Sequence, residues 1–141
     1  MAGQDCIFCR IVAGQIPSVR VFENDRVLAF LDIRPISDGH TLVIPKAHAD
    51  YLDKCDGSIL TEIIRVIGPL SAAVVRAAQA DGFNLLCNNG RAAGQLVDHV
   101  HFHIIPRRSG DGVLAHWPHK EYPAGKAEEI AGKIRGHLKI S

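Results

Sequence analysis

Residues 99–105 read His-Val-His-Phe-His-Ile-Ile, and no other stretch constrains the fold as tightly. Three imidazoles alternate with apolar residues, and strict alternation is the period of a β-strand, whose side chains point in turn to opposite faces. The pattern predicts a strand over 99–106. His99, His101 and His103 would share one face at about 7 Å intervals, set by the strand rise. Val100, Phe102 and Ile104 would point the other way, into a core. A strand of this kind presents a polar row in front while its back holds the fold together.

The rest of the chain reads as short strands around one long helix. Residues 6–17 form a short turn or helix ending near Gly14 and Pro17. The β-branched and aromatic runs 18–24 and 26–32 flank Asn24-Asp25, as in a β-hairpin. Turn chemistry at 34–40 leads into a third strand, His40–Pro45. Residues 83–89 form a fourth strand, and Gly90 to Gly94 the loop before the fifth. The main helix spans 58–82, with Leu60, Ile63, Ile64, Ile67, Leu70, Val74 and Ala77 on a 3.6-period face. Ser58 sits in its capping region, Gly68-Pro69 should kink or divide it, and Gly82 should close it. In the tail, Ile130, Ile134 and Leu138 recur every four residues, giving a short amphipathic helix weakened by Gly132 and Gly136. No internal repeat or low-complexity tract is present.

At 141 residues the chain is long enough to bury a core as one domain. Lys and Arg number 16 against 15 acidic residues, so bulk electrostatics give no reason to expect nucleic acid or membrane as partners. No apolar run is expected to span a bilayer, which takes about 20 residues. The first residues lack the basic and apolar regions of a secretory signal, and a cytoplasmic location is expected. The four cysteines, Cys6, Cys9, Cys55 and Cys87, would allow two disulfides in an oxidising compartment. In a reducing one, Cys6 and Cys9 read as metal-binding or redox-active, and Cys87 as a small buried side chain.

The three histidines admit three readings: a solvated strand face, a metal site using all three, or catalysis. A neutral imidazole is a nucleophile at pH 7 and can move protons. The pair Cys6 and Cys9 is spaced for metal or redox work. The βαβ context of a redox pair is absent, and a tetrahedral zinc site needs two further ligands. His40 and His48 flank the third strand. The turn Gly90-Arg-Ala-Ala-Gly94-Gln95 lies just before the histidine run, and its backbone N–H groups could approach an anionic oxygen. Beside three histidines, that suggests phosphate.

Together these residues resemble the histidine triad (HIT) family of nucleotide hydrolases and transferases. Its signature, His-φ-His-φ-His-φ-φ with φ apolar, is matched in full by residues 99–105. The segments 6–18, 27–48, 88–95 and 99–107 look like the bacterial, zinc-binding HIT hydrolase branch. The resemblance covers about residues 5–120 of a single HIT domain over 1–141, with 121–141 as its tail. It implies an α+β, HIT-like fold: an antiparallel sheet of about five strands, one long helix and a short C-terminal helix, paired as a homodimer.

The resemblance also implies roles. His101 matches the nucleophile, which attacks the α-phosphorus and forms a covalent nucleotidyl-histidine that water then hydrolyses. His103 and His40 match histidines at the phosphate, and Gly94 belongs to the same phosphate site. Gln95 matches a glutamine near the scissile phosphate, and Asn88 an asparagine lining that site. Asp32 matches the aspartate that binds the ribose hydroxyls, and Ile33 a wall of the base pocket. Cys6, Cys9, His48 and His99 match the ligands of a structural Zn2+. The implied substrates are nucleoside phosphoramidates, nucleotidyl anhydrides or dinucleoside polyphosphates, with an adenylyl group expected. Purely structural alternatives stand beside several of these roles. Asp32 could cap the turn at Arg34-Pro35, Asn88 could end a strand, and Gln95 and His48 could be loop residues. Trp117 could pack locally, or approach the neighbouring subunit's site as a C-terminal tryptophan does in dimeric relatives. Leu96 departs from the Ser or Thr of many HIT hydrolases and cannot donate a hydrogen bond to a leaving group. That departure raises the alternative of a catalytically weak nucleotide-binding module.

Overall fold

Asn24 starts the sheet. Its side-chain oxygen accepts from the backbone N–H groups of Arg26 (2.9 Å) and Val27 (2.8 Å), which folds strand β1 (Arg20–Glu23) back on β2 (Val27–Leu31). The computed structural model describes residues 5–140. β3 (Thr41–Pro45), β4 (Gly82–Leu86) and β5 (Phe102–Arg107) complete an antiparallel sheet in the order β1-β2-β3-β5-β4. Helix α1 (Ile7–Val12) precedes the sheet, α2 (Gly57–Ala78) joins β3 to β4, and α3 (Lys126–His137) follows β5. This is the expected α+β architecture.

The runs Val-Leu-Ala-Phe in β2 and Thr-Leu-Val-Ile-Pro in β3 are buried throughout because the sheet is covered on both faces. Val27, Ala29 and Val43 join Ile63, Val66, Ile67 and Val74 of α2 in one core. Leu28, Phe30, Leu42 and Ile44 join Phe8 and Ile11 of α1 in the other. Val100, Phe102 and Ile104 lie in the α2 core, on the face that alternation assigned to them.

The structure corrects several expectations. β5 begins at Phe102, so His99, Val100 and His101 precede the strand. The β3–β5 ladder stops at the Val43–Phe102 rung, and Val100 N–H donates instead to the Ala49 carbonyl at 2.7 Å. The histidine face is not a solvated row either, because Phe8 of α1 stands against His99 and His101, and His40 against His103. Helix α2 runs unbroken through Pro69, which lies on the exposed side, where water can take up the carbonyl it frees. Its N-cap is Asp56, whose carboxylate accepts from Ser58 and Ile59 N–H, and it ends at Gln79 in the left-handed region (φ 51°) rather than at Gly82. The buried stripe includes Val66 and Ser71, while Ile64 (57% exposed) and Ala77 face outward. By length and composition alone α2 is apolar enough to cross a bilayer, contrary to expectation; in this fold its stripe packs on the sheet. The tail helix forms as predicted, but none of its residues is buried. All four cysteines are free.

Candidate functional site

The segment before β5 aims the first two triad rings. His99 is fully buried, and its Nε2–H donates to the Pro45 carbonyl at 2.8 Å. A carbonyl only accepts, so the proton sits on Nε2 and the Nδ1 lone pair is left facing the cysteines. His101 has the opposite arrangement. Its Nδ1–H donates to the His99 carbonyl at 2.7 Å, which leaves the Nε2 lone pair free. The Phe8 ring stands edge-on to both, with centroids 5.9 Å from His99 and 5.2 Å from His101. His101 and His103 are closer than a flat strand would place them, at 4.9 Å between centroids. Burial holds the His101 imidazole below its ordinary pKa, so the ring is neutral near pH 7.

His103 is oriented through His40. Ile36 N–H donates to His40 Nδ1 at 3.1 Å, and a backbone amide can only donate, so neutral His40 carries its proton on Nε2. That Nε2 donates to His103 Nδ1 at 2.9 Å, which puts the His103 proton on its own Nε2. The relay thus turns His103 into a hydrogen-bond donor beside a ring whose Nε2 lone pair is free. Asp32 caps the turn, accepting from Arg34 N–H at 2.9 Å with one oxygen, while the other lies 3.6 Å from His40 Nε2. Asp32, His40 and His103 are close enough to hold a cation. The Ile36 N–H argues against one, because a cation on His40 Nε2 would force a proton onto Nδ1, against that donor. Burial lowers the pKa of His40. It also pushes His103 down to about 4, helped by the neighbouring His101 and His40.

Cys6, Cys9, His48 and His99 bring four ligand atoms within 4.8 Å of one another. Cys6 and Cys9 Sγ each lie 3.5 Å from His99 Nδ1, and Cys9 Sγ lies 3.3 Å from His48 Nδ1. Those separations suit a tetrahedral ion with bonds of about 2.3 Å to sulfur and 2.0 Å to nitrogen. His48 Nε2–H donates to Asp50 at 2.8 Å, so both rings offer Nδ1 with Nε2 held by a second partner, the usual outer support of a zinc ligand. Without a cation, burial and then Cys6 push the Cys9 thiol up to about 11. The two cysteines, the two histidines and their hydrogen bonds fit Zn2+.

Other expected residues are placed differently. Gln95 is 1% exposed, and its amide is spent on backbone: the oxygen accepts from Gly90 N–H (2.7 Å), and the nitrogen donates to the Asp50 (2.7 Å) and Val97 (3.0 Å) carbonyls. It holds the loop together and is not turned toward a phosphate. The loop is also a poorer anion cradle than its glycines suggest. The N–H groups of Gly90, Ala93, Gly94 and Gln95 are all taken within residues 90–95. Gly94 sits at φ 86°, close beneath the Asn88 amide. Ile33 (89%) and Leu96 (82%) stand in solvent. Phe8 against the triad rings, Asp50 behind His48, and Arg91, which donates to the Gln95 and Leu96 carbonyls and to Asp98, escaped the sequence reading. Phe8 could have been found, since it lies inside the Cys-x-x-Cys.

Folded-state pKa values below the unfolded one, about 6.5 for histidine, mean that the unfolded chain binds more protons in acid. Stability therefore falls as pH drops from about 6.5 toward 4, the value to which His103 is pushed. Urea midpoints of chelator-treated protein are expected to show this fall, and His103→Gln to flatten it.

The HIT domain family model matches residues 13–110. The adenosine 5'-monophosphoramidase of Schizosaccharomyces pombe is 44% identical over 137 residues, spanning 92% of this chain and 98% of its own. Among solved structures, a HIT family member from Bacillus subtilis superposes with a TM-score of 0.90 at 39% identity, spanning 98% of this chain and 100% of its own. A Zn-bound histidine triad family protein from Mycobacterium smegmatis superposes with a TM-score of 0.75 at 33% identity, spanning 95% of this chain and 96% of its own. With the triad in place at the start of β5, the chain belongs to the HIT domain family.

Proposed function

We propose that this chain is a nucleotide hydrolase or transferase acting at the α-phosphate of an adenylyl substrate, with His101 as nucleophile. The observation that carries the reading is the bond from His101 Nδ1–H to the His99 carbonyl, which leaves a neutral imidazole with its Nε2 lone pair free. In the first step that lone pair forms an Nε2–P bond, and the bond from phosphorus to the leaving group breaks, its electron pair departing with the leaving group. The positive charge that develops on the ring is met at Nδ1–H by the carbonyl. His103 Nε2–H donates to a non-bridging phosphate oxygen, where charge builds in the transition state. In the second step water attacks phosphorus and gives up a proton to solvent, the Nε2–P bond returns its pair to the ring, and the nucleoside monophosphate leaves. Splitting one displacement into two lowers the barrier of each. Asp32 keeps an oxygen available for ribose hydroxyls.

Leu96 offers no proton to the leaving group. Leaving groups that depart as stable anions, as from nucleotidyl anhydrides or dinucleoside polyphosphates, need none, whereas an amine does. The same residue favours a second reading, a nucleotide-binding module with weak catalysis. The exposed Phe83 and Leu85 on the β4 edge strand support pairing as a homodimer. Cys6, Cys9, His48 and His99 would hold Zn2+ with no open position, so the ion would be structural, tying α1 to the triad segment.

His101→Ala is expected to lower turnover of a dinucleoside polyphosphate by more than about 10³-fold while AMP binding measured by calorimetry persists. Full activity in that variant would refute the nucleophile. AMP binding by wild-type protein that turns over no adenylyl substrate would favour the binding module. A chelator is expected to lower the melting temperature of wild-type protein but not of Cys6→Ser, because an ion bound only to the folded state stabilises it by mass action. Protein purified without chelator that carries no metal would count against the site.

A further inference from the structure

Ser37 belongs to neither the triad nor the metal cluster, yet both ends of the His40–His103 relay depend on where it sits. Its hydroxyl donates to the Pro106 carbonyl at 2.7 Å. β3 starts only at Thr41, so Pro106 lies beyond the last rung that β3 forms with β5. The serine supplies that carbonyl with a donor the missing strand cannot. Its own carbonyl accepts from His40 N–H at 3.0 Å, and the residue before it, Ile36, gives the N–H that meets His40 Nδ1. Pro106 is on the strand that carries His103. One hydroxyl therefore pins the His40 loop to the His103 strand.

The surroundings sharpen the point. Gly39 sits at φ 94°, and a Cβ there would lie 3.4 Å from Ala78 Cβ and 3.5 Å from Pro106 Cγ, so the far end of the loop is packed close. The near end is not. A cleft of about 250 Å³ opens behind it, lined by Ile36, Ser37, Asp38, Ala78, Pro106 and Arg108 among others. The segment Ile36–Asp38 thus has room to shift, and the bond from Ser37 to Pro106 opposes that shift.

We propose that Ser37 is a positioning residue that sets the tautomer of His103 through Ile36 and His40, an inference that rests on the hydrolase reading for its effect on rate. With Ile36 N–H held on His40 Nδ1, the chain of donors runs one way and His103 presents Nε2–H. If Ile36 withdraws, His40 is free to carry its proton on Nδ1 and to accept at Nε2 from His103 Nδ1–H. His103 then turns a lone pair, rather than a donor, toward a phosphate oxygen. No proton is gained or lost; each ring moves its proton from one nitrogen to the other.

The test uses full-length, metal-loaded protein labelled with 15N-histidine, in which long-range proton–nitrogen spectra report the tautomer of each ring. Wild type is expected to show His40 and His103 as single Nε2–H tautomers. Ser37→Ala is expected to mix the His103 tautomers and to lower kcat/KM for a dinucleoside polyphosphate about tenfold, and Ser37→Thr to restore both. If the alanine variant does not fold, Ser37→Cys, a weak donor, takes its place with the same expectations. Unchanged ring tautomers in the variant, or a wild-type His40 carrying its proton on Nδ1, would overturn the inference. The spectra need no turnover, so a chain that hydrolyses nothing would sink the hydrolase reading and leave the role of Ser37 decided by the rings.

Discussion

The bond from His101 Nδ1–H to the His99 carbonyl organises this molecule. A neutral imidazole has one proton for two nitrogens, and spending it on a backbone acceptor decides which nitrogen can react. The carbonyl is in turn fixed by its surroundings. His99 Nε2–H is tied to Pro45, and the next residue, Val100, donates from its backbone to Ala49. Three consecutive residues leave the regular ladder of the sheet and gain a ligand ring, a core side chain and a ring with a free lone pair. In place of ladder bonds, Val100 N–H bonds to the Ala49 carbonyl and the His99 carbonyl accepts from His101 Nδ1–H.

Each ring of the site obeys the same rule. His99 and His48 give Nε2–H to Pro45 and Asp50 and turn Nδ1 toward the cysteine sulfurs; His40 accepts at Nδ1 and donates at Nε2; His103 is left with a donor at Nε2. Burial reinforces this order by keeping the rings neutral, since a charged imidazole inside the protein would lose its hydration. The group of Cys6, Cys9, His48 and His99 shares His99 with the triad, so whatever steadies that group steadies the backbone that holds His101.

Much of this was legible in the sequence because it rests on short-range pattern. Alternation assigned Val100, Phe102 and Ile104 to the core face, the Asn24-Asp25 turn placed the first hairpin, and the repeat of Ile63, Ile67 and Val74 marked α2. What was not legible depends on long-range partners. Nothing local says that Val100 will bond Ala49 and end the strand at Phe102, or that Pro69 will fall on a solvent-facing turn. Gln95 was expected at the phosphate on the strength of the family motif, and only the position of Asp50, forty-five residues away, shows its amide to be consumed. Ser37 carried no signal, since a serine in a turn has an adequate local explanation.

The central claim is that His101 reacts through Nε2 because its other nitrogen is held by the His99 carbonyl. It is tested most directly by quenching a single turnover of a dinucleoside adenosine polyphosphate in alkali, isolating the peptide that contains residues 99–105, and identifying the modified nitrogen by phosphorus NMR. The account predicts a nucleotidyl group on Nε2 of His101 and on no other ring. An adduct on Nδ1, an adduct on His103, or full turnover with no adduct at any time would contradict it.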